Sequence, residues 1–144
     1  MRGKFEFLGV KTPDRRRASK SFIAAHGPRV VPVLWAEPER EFQYVGADVL
    51  WAKVSQLSST DVEWLGGFVQ QKSWWDTVDA LAKTIGQVAT AQQMLAWSVA
   101  DNLWLRRVAI IHQLRRKAST DADLLARIIV NNVGSTEFYI NKAI

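Results

Sequence analysis

Trp75-Asp76-Thr77-Val78-Asp79 has loosely similar counterparts in three other segments of the chain. These are Phe42-Gln43-Tyr44-Val45-Gly46, Leu105-Arg106-Arg107-Val108-Ala109 and Tyr139-Ile140-Asn141-Lys142-Ala143. The fourth residues of consecutive segments, Val45, Val78, Val108 and Lys142, are 33, 30 and 34 positions apart. Helix pairs that repeat about every 30 to 35 residues are typical of an α-solenoid of the HEAT or TPR kind.

Helix start and stop signals divide the rest of the chain into helices with a similar spacing. The predicted helices run from Asp14 to Ala25, Val30 to Ala36, Pro38 to about Leu57, Ser58 to about Gln71, Ser73 to about Val88, Thr90 to Ala100, Asn102 to about Ala118, Thr120 to about Val133, and Ser135 to Ile144. No alternating apolar and polar run predicts a strand. The connections are short, which favours antiparallel neighbours. The sequence therefore predicts an all-α fold, with antiparallel helix pairs stacked as a HEAT-like α-solenoid in one domain over residues 1–144.

Composition and charge narrow the possible functions. The 144 residues contain no cysteine, which excludes disulfides, thiolate zinc sites and a cysteine nucleophile and favours an intracellular location. No apolar run approaches the roughly 18 residues of a membrane span. Nineteen basic residues against fourteen acidic ones give a net charge of +5, which favours an anionic partner such as nucleic acid. Neither His26 nor His112 has metal-ligand spacing, and no cofactor motif is present, so no metal or cofactor is predicted.

At one position of the repeat alignment, the residue in the second segment differs in kind from the residues in the other three. The last residue of each segment is small and apolar at Gly46, Ala109 and Ala143, as close helix packing requires, but it is Asp79 in the second segment. A carboxylate is costly at such a position if it is buried without a partner, so Asp79 is a candidate functional residue. The alternative is that the helix is slightly rotated and Asp79 only bonds a neighbouring helix terminus.

Trp75 lies four residues before Asp79, one helical turn away on the same face. An indole beside a carboxylate suits a cationic ligand, because the ring offers its π face and the carboxylate its charge. The alternative is that Trp74 and Trp75 are both core aromatics. Ser73 and Asp76 have the spacing of a capping box, so Asp76 is assigned to capping rather than to chemistry.

Five segments of the sequence resemble the AlkD-type DNA alkylation repair enzymes, and the resemblance covers essentially the whole chain. They are Phe7 to Pro13, Leu34 to Phe42, Lys72 to Asp79 (KSWWDTVD), Asp101 to Arg107 (DNLWLRR) and Glu137 to Ile144. The resemblance implies a HEAT-like fold that holds duplex DNA and a glycosylase that excises cationic alkylated purines such as 3-methyladenine and 7-methylguanine. It further implies a cytoplasmic protein, nucleoid-associated if the source is bacterial.

Carried over by position, the resemblance implies that Asp79 is the catalytic aspartate, Trp75 the active-site tryptophan and Arg107 a DNA-contacting arginine. Further contacts to the DNA backbone are predicted for Arg106, Lys72 and Lys11. The resemblance also implies that the chain lacks the family's C-terminal repeats and most of its N-terminal cap. We therefore expect a weak or inactive glycosylase that self-associates through its uncapped C-terminal helix. Two alternatives stay open, a non-catalytic DNA-binding protein and a helical-repeat scaffold that binds a protein partner.

Overall fold

The computed structural model describes residues 3–144, and these residues form helices joined by short turns. The helices are α1 (Thr12–Ala25), α2 (Val31–Ala36), α3 (Arg40–Ala52), α4 (Val62–Val69), α5 (Trp75–Val88), α6 (Ala91–Ser98), α7 (Leu103–Ile111), α8 (Ala122–Val130) and α9 (Phe138–Asn141). The described part of the chain contains no β-strand, and one isolated parallel bridge joins Glu6 to Glu39. The predicted all-α class is confirmed.

The chain divides into two compact units, and the first ends at Gln56. In this unit α1 and α2 both pack against α3. Val31, Trp35 and Leu50 are almost completely buried between them. A Cβ atom added at Gly46 would lie 3.3 Å from Cε3 of Trp35, so the small residue expected at this repeat position does serve close packing.

The second unit, Leu57–Ile144, has its helices in two rows. One row is formed by α5, α7 and α9, in which α7 contacts both of the others. The other row contains α6 and α8, which pack against each other, while α4 packs on α5 and α6 packs on α7. Leu65, Leu81, Ile85 and Val108 are fully buried. Paired helices in two rows are the arrangement that the repeat period predicts.

The prediction that α7 continues to Ala118 is wrong, because this helix ends at Ile111. The chain turns back after that point, and the turn is held by side chains. Arg116 donates from Nη2 to the carbonyl of Gly86 at 2.7 Å, and the backbone amide of Asp121 donates to Oε1 of Gln113 at 2.7 Å. The backbone of this turn makes shorter-range bonds of its own, from the amide of Leu114 to Ile111 at 3.0 Å and from the amide of Arg116 to Gln113 at 2.8 Å.

The capping box predicted for Ser73 and Asp76 is also wrong. The N-cap of α5 is Trp74, which makes no side-chain capping bond, and the Ser73 hydroxyl instead donates to the carbonyl of Val69 at 2.7 Å. A serine hydroxyl can satisfy the preceding helix end as readily as the following one, which is why spacing alone misled here. Capping boxes do form at two other helical segments, Ser58 with Asp61 and Thr90 with Gln93.

Two further helices begin later than predicted. Helix α3 begins at Arg40 rather than at Pro38, because the backbone amide of Arg40 donates to Glu6 at 2.9 Å, and this helix ends at Ala52 rather than near Leu57. Helix α9 begins at Phe138, because Ser135 precedes it and accepts from the amide of Glu137 at 3.2 Å.

Candidate functional site

An ion pair between Asp79 and Arg107 lies at the centre of the second unit. Asp79 belongs to α5 and Arg107 to the neighbouring α7. Nε of Arg107 donates to Oδ1 of Asp79 at 2.7 Å, and Nη2 donates to Oδ2 at 2.9 Å. Two parallel bonds between a planar guanidinium and a planar carboxylate fix the orientation of both groups. The two residues that the sequence singled out are therefore in direct contact.

Arg107 makes a third hydrogen bond, to a residue of α9. Its Nη1 donates to the backbone carbonyl of Tyr139 at 2.6 Å. The arginine side chain is only 10% exposed, whereas that of Asp79 is 35% exposed. The guanidinium thus lies beneath the surface with its charge paired, as a buried charge requires, and the carboxylate reaches the surface.

Trp75 supplies an exposed aromatic ring close to this carboxylate along the helix. It is the first residue of α5, one turn before Asp79, and 48% of its surface is exposed. A core role for Trp75 is excluded by that exposure. An exposed indole and a partly exposed carboxylate on one helix face are suited to a flat or cationic group.

Three further aromatic rings form a cluster from the loop before α5, from α7 and from α9. The ring centroid of Trp74 lies 6.1 Å from that of Trp104 and 5.2 Å from that of Tyr139, and the last two rings are 5.0 Å apart. Aromatic rings at these separations attract one another beyond their burial. The cluster fixes α9 beside α7, so that the Tyr139 carbonyl can meet Arg107. Core packing was one interpretation of Trp74 from the sequence. Nothing in the sequence indicated the role of Tyr139, since every residue has a backbone carbonyl.

Two further predicted DNA contacts, Arg106 and Lys72, lie near the pair of Asp79 and Arg107 in the sequence. Arg106 donates from Nη1 to the carbonyls of Ala100 and Asp101, at 2.8 and 3.1 Å, and so ties down the turn before α7. Lys72 is half-buried in the loop before α5 and has a φ of 49°, a left-handed backbone conformation that is uncommon outside glycine.

Lys11, the remaining predicted DNA contact, belongs to the first unit. It is the exposed N-cap of α1, which begins at Thr12, two residues before the predicted start at Asp14. Within residues 3–144 no cluster of three or more potential metal ligands is found. The helices of this region include none that is long and apolar enough to cross a membrane.

Comparisons with known proteins agree with this fold. A family model described as "DNA alkylation repair enzyme" matches residues 1–144. A solved structure described as "Predicted DNA alkylation repair enzyme from Enterococcus faecalis" matches with a TM-score of 0.91 and 32% sequence identity. The match covers 99% of this chain and 73% of that one. No curated protein matches the sequence significantly. The chain belongs to the DNA alkylation repair enzyme family.

Proposed function

We propose that this protein is a DNA glycosylase that removes cationic alkylated purines, such as 3-methyladenine and 7-methylguanine, from duplex DNA. One observation carries the proposal. A carboxylate whose orientation is fixed by a bidentate arginine reaches the surface one helical turn from an exposed tryptophan. Family membership supports alkylated DNA as the substrate, and the net charge of +5 supports a polyanionic partner.

The chemistry of the lesion explains why one carboxylate suffices. A purine alkylated at N3 or N7 carries a positive charge and departs as a neutral base when the bond from C1′ to nitrogen breaks. The leaving group needs no proton, so no general acid is required. Positive charge instead develops on the deoxyribose, and water then adds to C1′ and loses a proton. A carboxylate near C1′ stabilises that charge and orients the water, as in glycosidases.

Trp75 and Arg107 have supporting roles in this proposal. The indole of Trp75 packs against the deoxyribose and shields it from bulk water. Arg107 holds the Asp79 carboxylate in one orientation, because two of its nitrogens bind the carboxylate and a third binds the Tyr139 carbonyl. A DNA contact by Arg107, which the resemblance implies, would have to use the two of its five N–H groups that these bonds leave over.

Single-turnover release of 7-methylguanine from methylated duplex DNA tests the proposal. Asp79→Asn should lower the rate about 10²- to 10³-fold, the usual effect of removing one preorganised electrostatic group. Duplex affinity should stay within a few-fold. The matched control is Asp123→Asn, which makes the same charge change at an exposed position of α8. Equal rates for the two variants would contradict the proposal.

A non-catalytic DNA-binding protein of the same family is the competing proposal. The same assay separates the two, because such a protein binds methylated duplex and releases no base at any enzyme concentration. Spontaneous depurination, measured without protein, sets the baseline.

A further inference from the structure

Helices α5, α7 and α9 each have an aromatic ring at their beginning, and the same helices hold the groups of the ion pair. Trp74 is the N-cap of α5, and Trp104 and Tyr139 are the second residues of α7 and α9. Their ring centroids are 5.0 to 6.1 Å apart. Asp79 lies on α5 and Arg107 on α7, and the carbonyl that the arginine binds belongs to Tyr139 itself. The cluster therefore joins the elements whose spacing decides whether the ion pair can form.

Helix α9 depends on side-chain packing for its position. It has four residues, and a helix of that length is not stable on its own in water, because too few hydrogen bonds offset the cost of ordering its backbone. Ile140 is fully buried, and the Tyr139 ring meets those of Trp74 and Trp104. These side chains therefore determine where the carbonyl of Tyr139 lies.

The bonds of Arg107 leave little tolerance for a shift of that carbonyl. Nη1 lies 2.6 Å from the carbonyl oxygen of Tyr139, while Nε and Nη2 lie 2.7 and 2.9 Å from the Asp79 carboxylate. A guanidinium is planar and rigid, so a displacement of one nitrogen tilts the other two. Hydrogen bonds of this kind are about 2.7–3.2 Å long and weaken steeply when they bend. A shift of α9 by about 1 Å would therefore take the carbonyl out of hydrogen-bonding range and loosen the carboxylate as well.

The same cluster holds the backbone from which Trp75 projects. Trp74 directly precedes Trp75, and its carbonyl accepts from the amide of Val78 at 3.0 Å and from the hydroxyl of Thr77 at 3.3 Å. The first turn of α5, with the exposed indole of Trp75, is therefore tied to the position of the Trp74 ring.

We propose that this aromatic cluster positions the groups of the proposed active site, and that Tyr139 is the positioning residue through which it acts on Arg107. In base release, the proposed function on which this inference rests, the cluster acts through Arg107 and not by contact with DNA. Arg107 keeps the Asp79 carboxylate aimed at C1′, where positive charge develops. A preorganised group accelerates the reaction only while its orientation is held, so a loosened cluster lowers the rate more than the affinity for DNA.

Tyr139→Leu tests the proposal, because it removes the ring and keeps both the backbone carbonyl and an apolar side chain. We expect single-turnover release of 7-methylguanine to slow about 10- to 100-fold, since a misplacement of about 1 Å can cost roughly 10²-fold in rate. Duplex affinity should stay within a few-fold. Tyr139→Phe keeps the ring and should restore the rate. The matched control is Trp64→Leu, which removes a half-buried ring from an aromatic pair with Phe68 in α4.

A second readout follows the ion pair itself and needs no activity. The Nε proton of Arg107 gives a ¹H–¹⁵N NMR signal, which is identified by its loss in Arg107→Gln. This proton is bonded to the Asp79 carboxylate on a side chain that is 10% exposed, so its exchange with water is slow. Tyr139→Leu should speed this exchange, whereas Tyr139→Phe and Trp64→Leu should leave it unchanged.

The proposal is overturned if Tyr139→Leu changes the rate or the exchange no more than Trp64→Leu does, or if Tyr139→Phe is as defective as Tyr139→Leu. If the unaltered protein releases no base, the proposed function is wrong, and the exchange of the Arg107 proton alone decides whether the cluster positions the pair. Thermal unfolding shows whether each variant is folded. Tyr139→Met, a milder change with the same expected results, replaces Tyr139→Leu if the latter does not fold.

Discussion

Arg107 shows how a contact changes the role expected of a residue. A surface arginine beside a DNA groove neutralises phosphate, but this side chain is 10% exposed and makes three hydrogen bonds, two to Asp79 and one to Tyr139. We therefore expect Arg107→Gln to lower the rate of base release and leave the salt dependence of duplex binding unchanged. Lys72→Gln removes a charge from the loop before α5 and should reduce that salt dependence by about one unit of slope.

The measurement is duplex affinity across a series of salt concentrations, with base release followed in parallel. A smaller slope in Arg107→Gln would mean that the arginine contacts a phosphate when DNA binds, and a purely positioning role would be wrong. The unaltered protein and Asp123→Asn provide the reference slopes.

Residue-level prediction depends on whether a role leaves a trace in the sequence. Asp79 departs from the small residues at the same position of the other repeats, so the sequence alone indicated it as a candidate functional residue. Arg107 was predicted as a contact to DNA and not as the hydrogen-bond partner of Asp79, because the two residues are 28 positions apart and the packing of two helices, not a motif, brings them together. The Tyr139 carbonyl was invisible, since every residue has one.

At the scale of elements, the approach of α5 to the turn after α7 depends on Gly86. A Cβ atom at this position would clash with the backbone carbonyl of His112, which cannot move as a flexible side chain does. Gly86→Ala should therefore destabilise the fold by about 1–3 kcal/mol, the usual cost of overpacking. Gly67→Ala in α4, where a Cβ atom would meet nothing within 4 Å, should instead stabilise it by roughly 0.5–1 kcal/mol.

Urea unfolding of the two variants measures this difference. Each variant replaces a helical glycine by alanine, so helix propensity contributes equally to both. A difference in sign between the two changes in the free energy of unfolding would therefore reflect only the room for a Cβ atom at each site. Similar free energies of unfolding for the two variants would contradict the close contact at Gly86.

His112 makes the same turn sensitive to acid. Burial lowers the pKa of this histidine, the Ala109 carbonyl at 2.6 Å raises it, Arg116 lowers it and Asp121 raises it, with a net lowering from 6.5. Below pH 6.5 the unfolded chain then binds a proton that the folded chain refuses, so stability falls as the pH decreases. His112→Gln should flatten this part of the stability profile. The check is urea unfolding at pH 8, 6.5 and 5. If the free energy of unfolding falls with decreasing pH as steeply in the variant as in the unaltered protein, His112 is not the source of the acid sensitivity.

Elements were predicted more reliably than their ends. Helix periodicity and proline and glycine signals located every helix, because both follow from local geometry. The start of α3 was missed because it is set by a distant partner, the Glu6 carbonyl that accepts from the Arg40 amide. Serine is a particular source of error, as Ser73 shows, because its hydroxyl bonds to either neighbouring helix.

At the scale of the whole molecule, the repeat period carried most of the prediction. A spacing near 30 to 35 residues indicates helix pairs, and the two rows of the second unit are their result. The period does not predict how compact each part is, and the division after Gln56 was not foreseen. The prediction of a single domain stays a prediction.

Self-association is the property expected of the surface around α8 and α9. Val130, Val133 and Phe138 are 72%, 68% and 63% exposed and lie within nine residues of one another. Exposed apolar side chains that lie close together favour burial against another surface. We expect the protein to form a concentration-dependent dimer, weakened when Val130 and Val133 are both changed to lysine.

Sedimentation velocity over a range of micromolar concentrations measures the dimer. The control is Val99→Lys, since Val99 is similarly exposed, at 64%, but follows α6 rather than α8. If the double variant and the control shift the equilibrium alike, the effect is one of added charge and not of this surface. If the protein sediments as a monomer at every concentration, the predicted dimer interface does not exist. Because each unit of a helical repeat is stabilised mainly by its neighbours, dimerisation should also raise the unfolding temperature as the protein concentration increases.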